Sequence, residues 1–240
     1  MLSITSTDEW KDAYPGTSPL ESRGLPLENR GLIGLLELSG VENKQPCAAL
    51  EREKREVEAR LRERYQGFTR PDFLNLPVMA AYERYYRRFD KTYHMLLQVE
   101  SIVLKGKSLP NVSPLVDANF MAEVETLALT AGHDVAHLTG KIIMDISRPG
   151  ERMLLMNGTE KAILAGDMVM RDDGGICCSI LYGQDNRSPI TEETSSVLYV
   201  AYAPPGVGAK AVGAQLEQIE ANVRLFAPLA HVEQLRLLGL

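Results

Sequence analysis

Cysteine is scarce in this chain, and its spacing excludes the structures that depend on it. The 240 residues contain 3 cysteines, at Cys47, Cys177 and Cys178. Cys177 and Cys178 are neighbours, so on a strand their side chains point to opposite faces. Because no C-x-x-C spacing is present, neither a disulfide framework nor a zinc site is expected. We predict that the protein uses no metal and no cofactor.

Long apolar runs and an excess of basic charge are also absent. No stretch approaches the roughly 20 apolar residues of a membrane span, and no N-terminal segment is typical of a signal peptide. We therefore expect a cytoplasmic protein without a membrane partner. The net charge of −6 argues against DNA as a partner, although a local basic patch would still suffice for tRNA. Phosphate-binding loops, HExxH and nucleophile-elbow motifs are missing.

Two charged helices are expected in the N-terminal half. Residues 51–64 are mostly charged with mixed signs, which predicts a charged helix over 47–66 with an exposed surface; an RNA-binding helix is the alternative. Val78 to Phe89 predicts a shorter helix that carries tyrosines and arginines, namely Tyr82, Arg84, Tyr85, Tyr86, Arg87 and Arg88. Its tyrosines either pack in the core or stack on nucleic acid bases.

A third helix begins at Ser113-Pro114, because serine is a favourable N-cap and proline loses no hydrogen bond at the first helical position. We expect it to end at Gly132. Asn119 lies on its apolar face and needs partners, so it either fixes a loop or lines a pocket. His133-Asp134 would follow in a bend, where His133 is a candidate titratable group. The alternative is that Asp134 caps the next turn and His133 is a surface residue.

The remainder of the chain alternates strands with tight turns. Asn157-Gly158 and Asp172 to Gly175 predict two hairpins, and Ser196 to Ala203 predicts a strand. A last helix follows, with apolar residues from Val212 to Phe226 at helical spacing. These elements indicate an α+β fold with mixed, largely antiparallel sheets and helices packed on them. The polar loop Tyr182 to Arg187 is a candidate ligand-binding segment.

The order of several short motifs resembles the B3/B4 domain, the tRNA-editing domain of the phenylalanyl-tRNA synthetase beta subunit, which also occurs as free-standing proteins. These motifs are Leu115 to Asn119, Gly132-His133-Asp134, Arg148 to Glu151, Asn157 to Glu160, Gly166-Asp167 and Thr191 to Thr194. The resemblance implies one B3/B4-like domain over residues 1–240, with an insertion near 20–30 and the charged helix at 47–66. It implies hydrolysis of the ester between a wrong amino acid and tRNA, without metal or covalent intermediate.

The resemblance also implies site residues. Asn119 matches an asparagine that lines the editing pocket, whereas Ala118 stands where the family has a threonine. The family's pocket histidine would fall near Ala131, and His133 lies two residues later, next to Asp134. Val200 falls near the glutamate that recognises a tyrosine hydroxyl, so a less polar substrate side chain is expected.

From these observations we predict a free-standing deacylase that acts on mischarged aminoacyl-tRNA. The alternative is a non-catalytic module that binds tRNA or an amino acid. His133 and Asn119 are the expected catalytic residues, with His133 ordering water, and Arg187 is expected to meet the terminal adenosine or its phosphate. The other expected substrate-binding residues are Ala118, Asp134, Tyr182, Gly183, Gln184, Asn186, Thr194 and Val200.

Overall fold

The computed structural model describes residues 1–13, 31–44 and 47–239. The predicted insertion near residues 20–30 lies outside these ranges. The strands, in chain order, are β1 Ile4–Ser6, β2 Leu32–Ser39, β3 Thr130–Asp134, β4 Ile142–Ile146, β5 Arg152–Leu154, β6 Glu160–Ala162, β7 Met168–Asp172, β8 Gly175–Ser179, β9 Gly183–Gln184, β10 Ser196–Ala203 and β11 His231–Leu238. The helices are α1 Asp8–Ala13, α2 Ala48–Arg64, α3 Arg70–Leu74, α4 Pro77–Arg87, α5 Met95–Val103, α6 Pro114–Thr126 and α7 Ala209–Arg224.

The strands form two larger sheets and a separate hairpin. One sheet has the order β11-β2-β10-β3 and is antiparallel throughout. The other has the order β1-β4-β7-β8-β9, in which β1 pairs with β4 in parallel. The hairpin β5-β6 turns at Asn157-Gly158, and β7-β8 turns at Asp172 to Gly175. The α+β class, the largely antiparallel sheets and both hairpins are therefore confirmed.

Strand β2 lies at the centre of the fold. Its residues from Leu32 to Leu38 are all buried, because β10 and β11 pair with its two edges and α7 packs on its face. A Cβ added at Gly34 would lie 2.5 Å from Val212 Cγ1 of α7. Glycine at this position therefore lets the helix approach the sheet closely.

Three predicted helices are confirmed, two of them at nearly the expected bounds and the third at its expected start. They are the charged helix, observed as α2, the tyrosine-bearing helix, observed as α4, and the helix that begins at Pro114, observed as α6. Tyr82, Tyr85 and Tyr86 are buried, and the Tyr82 hydroxyl donates to the Tyr202 carbonyl at 2.6 Å. The tyrosines thus pack in the core, and stacking of bases on them is excluded.

The predicted end of the third helix is wrong. Helix α6 ends at Thr126, and Leu127 takes a left-handed backbone conformation with φ of 65°. Its N–H bonds to the Glu123 carbonyl, and its own carbonyl accepts from the Tyr93 hydroxyl at 3.0 Å. Tertiary contacts thus supply a C-cap that the sequence did not signal. Gly132 and His133 lie inside β3 rather than in a bend after the helix.

Candidate functional site

A cavity of about 510 Å³ opens between α6, β3 and the segment from Cys178 to Gln184. This volume is in the range typical of small-molecule sites. Most of its wall comes from these three elements, with further side chains from the loops around its mouth. The lining residues are His94, Val112, Val116, Asn119, Glu123, Leu129, Thr130, Ala131, Gly132, Met156, Cys178, Ser179, Ile180, Leu181, Tyr182, Gly183, Gln184, Ile190 and Tyr202.

Asn119 and Glu123 project from one face of α6, since residues four apart lie one above the other on a helix. Asn119 Nδ2 donates to the Thr130 carbonyl at 3.0 Å, and Glu123 Oε1 accepts from the Thr130 N–H at 2.7 Å. The two side chains thus bond to the N–H and C=O of Thr130, which point away from the neighbouring strand because β3 lies at the edge of its sheet. Asn119 Oδ1 is buried and has no hydrogen-bond partner among the described residues, and Asn119 is one of the residues that line the cavity.

Glu123 brings a carboxyl group with a strongly raised pKa to the cavity lining. Burial raises the pKa of this carboxyl to about 8, although the hydrogen bonds from Thr130 and Asn119 oppose the shift. The side chain is only 6% exposed. A carboxyl group with a pKa near neutrality can exchange a proton with a bound water molecule at physiological pH.

Gly132 presents backbone groups to the same cavity. The N–H groups of Thr130 and Asp134 point away from β10, to Glu123 and to the Ser188 carbonyl. Along an antiparallel strand, every second residue points its N–H and C=O away from the partner strand. The N–H and C=O of Gly132, which lies between Thr130 and Asp134 in this alternation, therefore also point away from β10. A Cβ at Gly132 would lie 2.7 Å from Ile190 Cδ1 and 3.0 Å from Tyr199 Cε1, so a larger residue here would require Ile190 to move.

The opposite wall is held in place by the buried carboxylate of Asp167. This carboxylate accepts hydrogen bonds from the hydroxyls of Tyr85, at 2.7 Å, and of Ser179, and burial raises its pKa to about 6. Ser179 in turn accepts from the Tyr182 N–H at 3.2 Å. This chain of hydrogen bonds therefore holds the turn from Ser179 to Tyr182 in place, which gives the cavity a rigid wall.

His133 lies behind this wall and does not line the cavity. It is 0% exposed, and burial lowers the pKa of its imidazole to about 3. The Ser188 hydroxyl donates to Asp185 Oδ1 at 2.7 Å, so Ser188 Oγ accepts from His133 Nδ1 at 2.8 Å. Gln184, a lining residue, has its Nε2 3.2 Å from His133 Nδ1. The expectation of a surface His133 is thus wrong, and its imidazole is neutral at physiological pH.

Tyr202 and Cys178 form the inner end of the cavity. Tyr202 is 1% exposed and Cys178 is 2% exposed. The partner of the Tyr202 hydroxyl is the neighbouring Cys178 thiol, a weak hydrogen-bonding group. Burial raises the pKa of that thiol to about 12, so it remains protonated and is a poor nucleophile.

Arg187 and Asn186 lie away from the cavity lining. Arg187 Nη2 is 3.0 Å from Asp172 Oδ1, and its Nε is 2.8 Å from Asp185 Oδ2. This arginine is therefore held by two carboxylates. Asn186 is exposed, and its N–H donates to the Leu154 carbonyl at 3.0 Å, which ties the loop to the β5-β6 hairpin.

Four further predicted site residues are placed in packing or loop contacts. The Thr194 hydroxyl donates to Asp134 Oδ2 at 2.7 Å, and Asp134 Oδ1 caps the short 3₁₀ turn Val135–His137 by accepting from the Ala136 N–H. The Ala118 carbonyl accepts from Asn222 of α7 at 2.9 Å. Val200 is buried in β10, opposite Ala131. Of the predicted residues, Asn119, Tyr182, Gly183 and Gln184 share the cavity.

The described ranges contain no group of three or more His, Cys, Asp or Glu side chains arranged to hold a metal ion. In the same ranges no helix is both long enough and apolar enough to cross a membrane.

Comparison with known proteins identifies the family. A family model of the B3/4 domain matches residues 79–217, which is more than half of the chain and contains the whole α6-β3 part of the cavity. The chain belongs to the B3/4 domain family. No curated protein sequence matches this B3/4 protein.

Among solved structures, the B3/4 chain is similar to an N-terminal fragment of the phenylalanyl-tRNA synthetase beta-subunit from Pyrococcus horikoshii. The TM-score is 0.46 at 8% identity, and the match covers 94% of this chain and 49% of that one. This chain thus spans about half the length of the structure it matches.

Sequence reasoning missed Glu123, Tyr202 and the role of Thr130. Glu123 is four residues after Asn119, so the same helix-face argument would have found it once Asn119 was placed in a pocket. Tyr202 follows Val200 by two residues and points to the same face of β10. Nothing in the local sequence signals the contacts of Thr130, because these join a helix to the edge of a sheet.

Proposed function

We propose that this B3/4 protein is a free-standing deacylase that hydrolyses mischarged aminoacyl-tRNA. The observation that carries the proposal is the cavity beside Asn119, which combines an unpartnered acceptor, a carboxyl group with a pKa near 8 and an outward-facing glycine backbone. The membership of the B3/4 family supports it, because the resemblance to the synthetase editing domain implies this chemistry.

The amino acid of the substrate would enter first. Its side chain would point to Tyr202 and Cys178 at the inner end, and the ester would lie beside α6 and β3. The Tyr202 hydroxyl, beside the Cys178 thiol, could hydrogen-bond a neutral polar group on the substrate side chain. A hydrogen-bonding group at this position would discriminate strongly against substrates that leave it unpaired. The inner end of the cavity therefore also suits side chains that carry a polar group.

The hydrolytic step would use a water molecule held by Asn119 Oδ1 and Glu123. The water oxygen forms a bond to the ester carbonyl carbon, and the bond from that carbon to the ribose oxygen breaks. The proton lost by the water passes to the Glu123 carboxylate, and the protonated Glu123 then returns this proton to the departing ribose oxygen, with the neighbouring ribose hydroxyl assisting. The Gly132 N–H would stabilise the negative charge that develops on the carbonyl oxygen. Holding water and ester together supplies a further part of the rate enhancement.

The role of His133 in this scheme is to position Gln184. The neutral imidazole acts through Ser188: His133 Nδ1 donates to the Ser188 hydroxyl, which donates to Asp185, and the Ser188 carbonyl accepts from Gln184 Nε2 at 2.6 Å. Arg187 would act on the same loop through Asp185 rather than on the substrate.

The first experiment is incubation with a panel of mischarged aminoacyl-tRNAs. We expect at least one pair to be deacylated well above the buffer rate, and we expect Asn119→Ala to lower that rate at least tenfold because the water loses its acceptor. Asn75→Ala removes an amide from an exposed position at the end of α3 and should leave the rate unchanged. No deacylation of any pair would refute the proposal.

A second candidate function is a binding module without catalysis. The observation that favours it is that His133 and Arg187, the residues expected to do chemistry, are engaged by the protein itself. Tight binding of a tRNA or an amino acid without turnover, unchanged in His133→Ala, would select this function.

A further inference from the structure

Two lysines converge on the aromatic ring at the mouth of the cavity. Lys91 Nζ lies 5.3 Å from the centroid of the Tyr182 ring, and Lys161 Nζ lies 5.1 Å from it. Lys91 follows α4, whereas Lys161 belongs to β6 of the separate hairpin. The fold therefore brings two cations from distant parts of the chain to one lining residue.

Neither ammonium group forms an ion pair with a carboxylate of the described residues, in contrast to nearby Arg87, whose Nε lies 2.9 Å from Glu83 Oε1. Cation–π contact with Tyr182 stabilises each ammonium by only about 0.5–1 kcal/mol at an exposed site. Among the described residues the two ammonium groups beside this ring thus have no salt-bridge partner, in a protein whose overall net charge is −6.

We propose that Lys91 and Lys161 form a phosphate-binding clamp at the cavity mouth, with Tyr182 between the two elements as its support. Anionic oxygen atoms are the ligands that complete such a pair, since each ammonium offers three donors to phosphate. Because both lysines lie over the ring, Tyr182 does not serve as a stacking surface for a base. The ligand is the phosphodiester backbone of a nucleic acid strand.

The clamp rests on the proposed function in one respect, namely that the strand is the aminoacylated end of tRNA. A phosphate held at the mouth would place the terminal ester inside the cavity. The lysines would then contribute to binding in the ground state and the transition state equally, so their loss should raise KM and leave kcat unchanged.

Binding is measured with a fluorescent single-stranded RNA oligonucleotide that ends in CCA, by anisotropy over a range of KCl concentrations. We expect the double variant Lys91→Gln/Lys161→Gln to raise Kd at least tenfold at low salt. The slope of log affinity against log salt should fall by about 0.7, since the clamp neutralises one phosphate and each single-strand phosphate contributes about 0.7. Lys91→Arg/Lys161→Arg should retain binding.

The control variant is Lys141→Gln/Lys210→Gln, which removes the same charge from two exposed positions outside the cavity lining. An equal loss of affinity in this control, or no loss in the clamp variant, would overturn the clamp. Inorganic phosphate as competitor distinguishes a free-phosphate site from a phosphodiester site.

A kinetic comparison separates the clamp from the proposed function. For aminoacyl-tRNA the clamp variant should raise KM, whereas hydrolysis of an aminoacyl-adenosine that lacks phosphate should be unchanged. Lysine-dependent RNA binding without deacylation by the wild type would support the clamp and refute the deacylase. Deacylation at a rate that does not change when both lysines are replaced would support the deacylase and refute the clamp.

Discussion

Asn119 shows how far a single residue can be interpreted from sequence. Its place on an apolar helix face predicts a need for hydrogen-bond partners, and the structure supplies one for Nδ2, at the Thr130 carbonyl, but none among the described residues for Oδ1. His133 shows the opposite case. Its titration was expected to lie near neutral pH, but complete burial lowers the pKa to about 3, and burial depends on strands that are distant in sequence.

The pKa of Glu123 leads to a prediction at this scale. The carboxyl is mostly protonated below pH 8 and ionised above it, so a deacylation rate that uses Glu123 as base should rise with pH and level off above about 8. Glu123→Gln should match the wild type near pH 6, where both side chains are neutral, and should fall well below it at pH 9. The measurement is the rate at each pH after subtraction of the buffer rate.

The stability of the same variant checks the pKa independently. A carboxyl whose folded pKa lies above its unfolded value binds more protons in the native state, so the wild type loses stability as pH rises from about 4.5 to about 8. Glu123→Gln should therefore be more stable than the wild type at pH 9, by a few kcal/mol at most, and similar at pH 5. Equal urea midpoints for both proteins at pH 9 would contradict the raised pKa.

At the scale of elements, the charge pattern of α2 predicts that the segment is helical but does not predict which residues the helix contacts. Mixed charges predicted a helix on the surface, and Glu58 pairs with Arg62 one turn later at 3.6 Å. Lys54, however, is 0% exposed. Its Nζ lies 2.6 Å from Asp117 Oδ2 of α6 and 3.1 Å from the Pro110 carbonyl. This lysine joins α2 to α6 and to the loop that carries Val112 to the cavity.

Lys54→Met should therefore destabilise the protein by roughly 3–5 kcal/mol, because the Asp117 carboxylate stays buried without its partner. Arg52→Met, at an exposed position of the same helix, should change the free energy of unfolding by less than about 0.5 kcal/mol. Urea denaturation measures both. A loss at Lys54 no larger than that at Arg52 would show that the buried pair contributes little.

At the scale of the whole molecule, the C-terminal strand connects the two larger sheets. Strand β11 pairs with β2 in one sheet, and Arg236 Nη2 of β11 donates to the Ile4 carbonyl of β1 in the other at 3.0 Å. The apolar segment from Leu235 to Leu238 thus pairs with a strand of its own chain. Leu240 lies outside the described residues.

Truncation after Ala230 should leave the apolar strand β2 with an unpaired edge, which favours aggregation. We expect loss of cooperative unfolding in circular dichroism and aggregation in size-exclusion chromatography. The substitution Leu229→Ala, at a side chain that is 84% exposed, serves as the control and should unfold as the wild type does. A monomeric truncated protein with an unchanged melting temperature would contradict the role of β11.

The sequence by itself determined the α+β class, both hairpins and the start of α6, because turn residues, proline at a helix start and apolar periodicity act locally. It also singled out Asn119 and the segment 182–184, through helix-face spacing and motif order. Only the tertiary structure decided that Glu123 has a raised pKa, that His133 lies behind the cavity wall and that Lys91 and Lys161 meet at Tyr182. These properties depend on burial and on contacts between residues far apart in the chain, and neither quantity is encoded in a short segment.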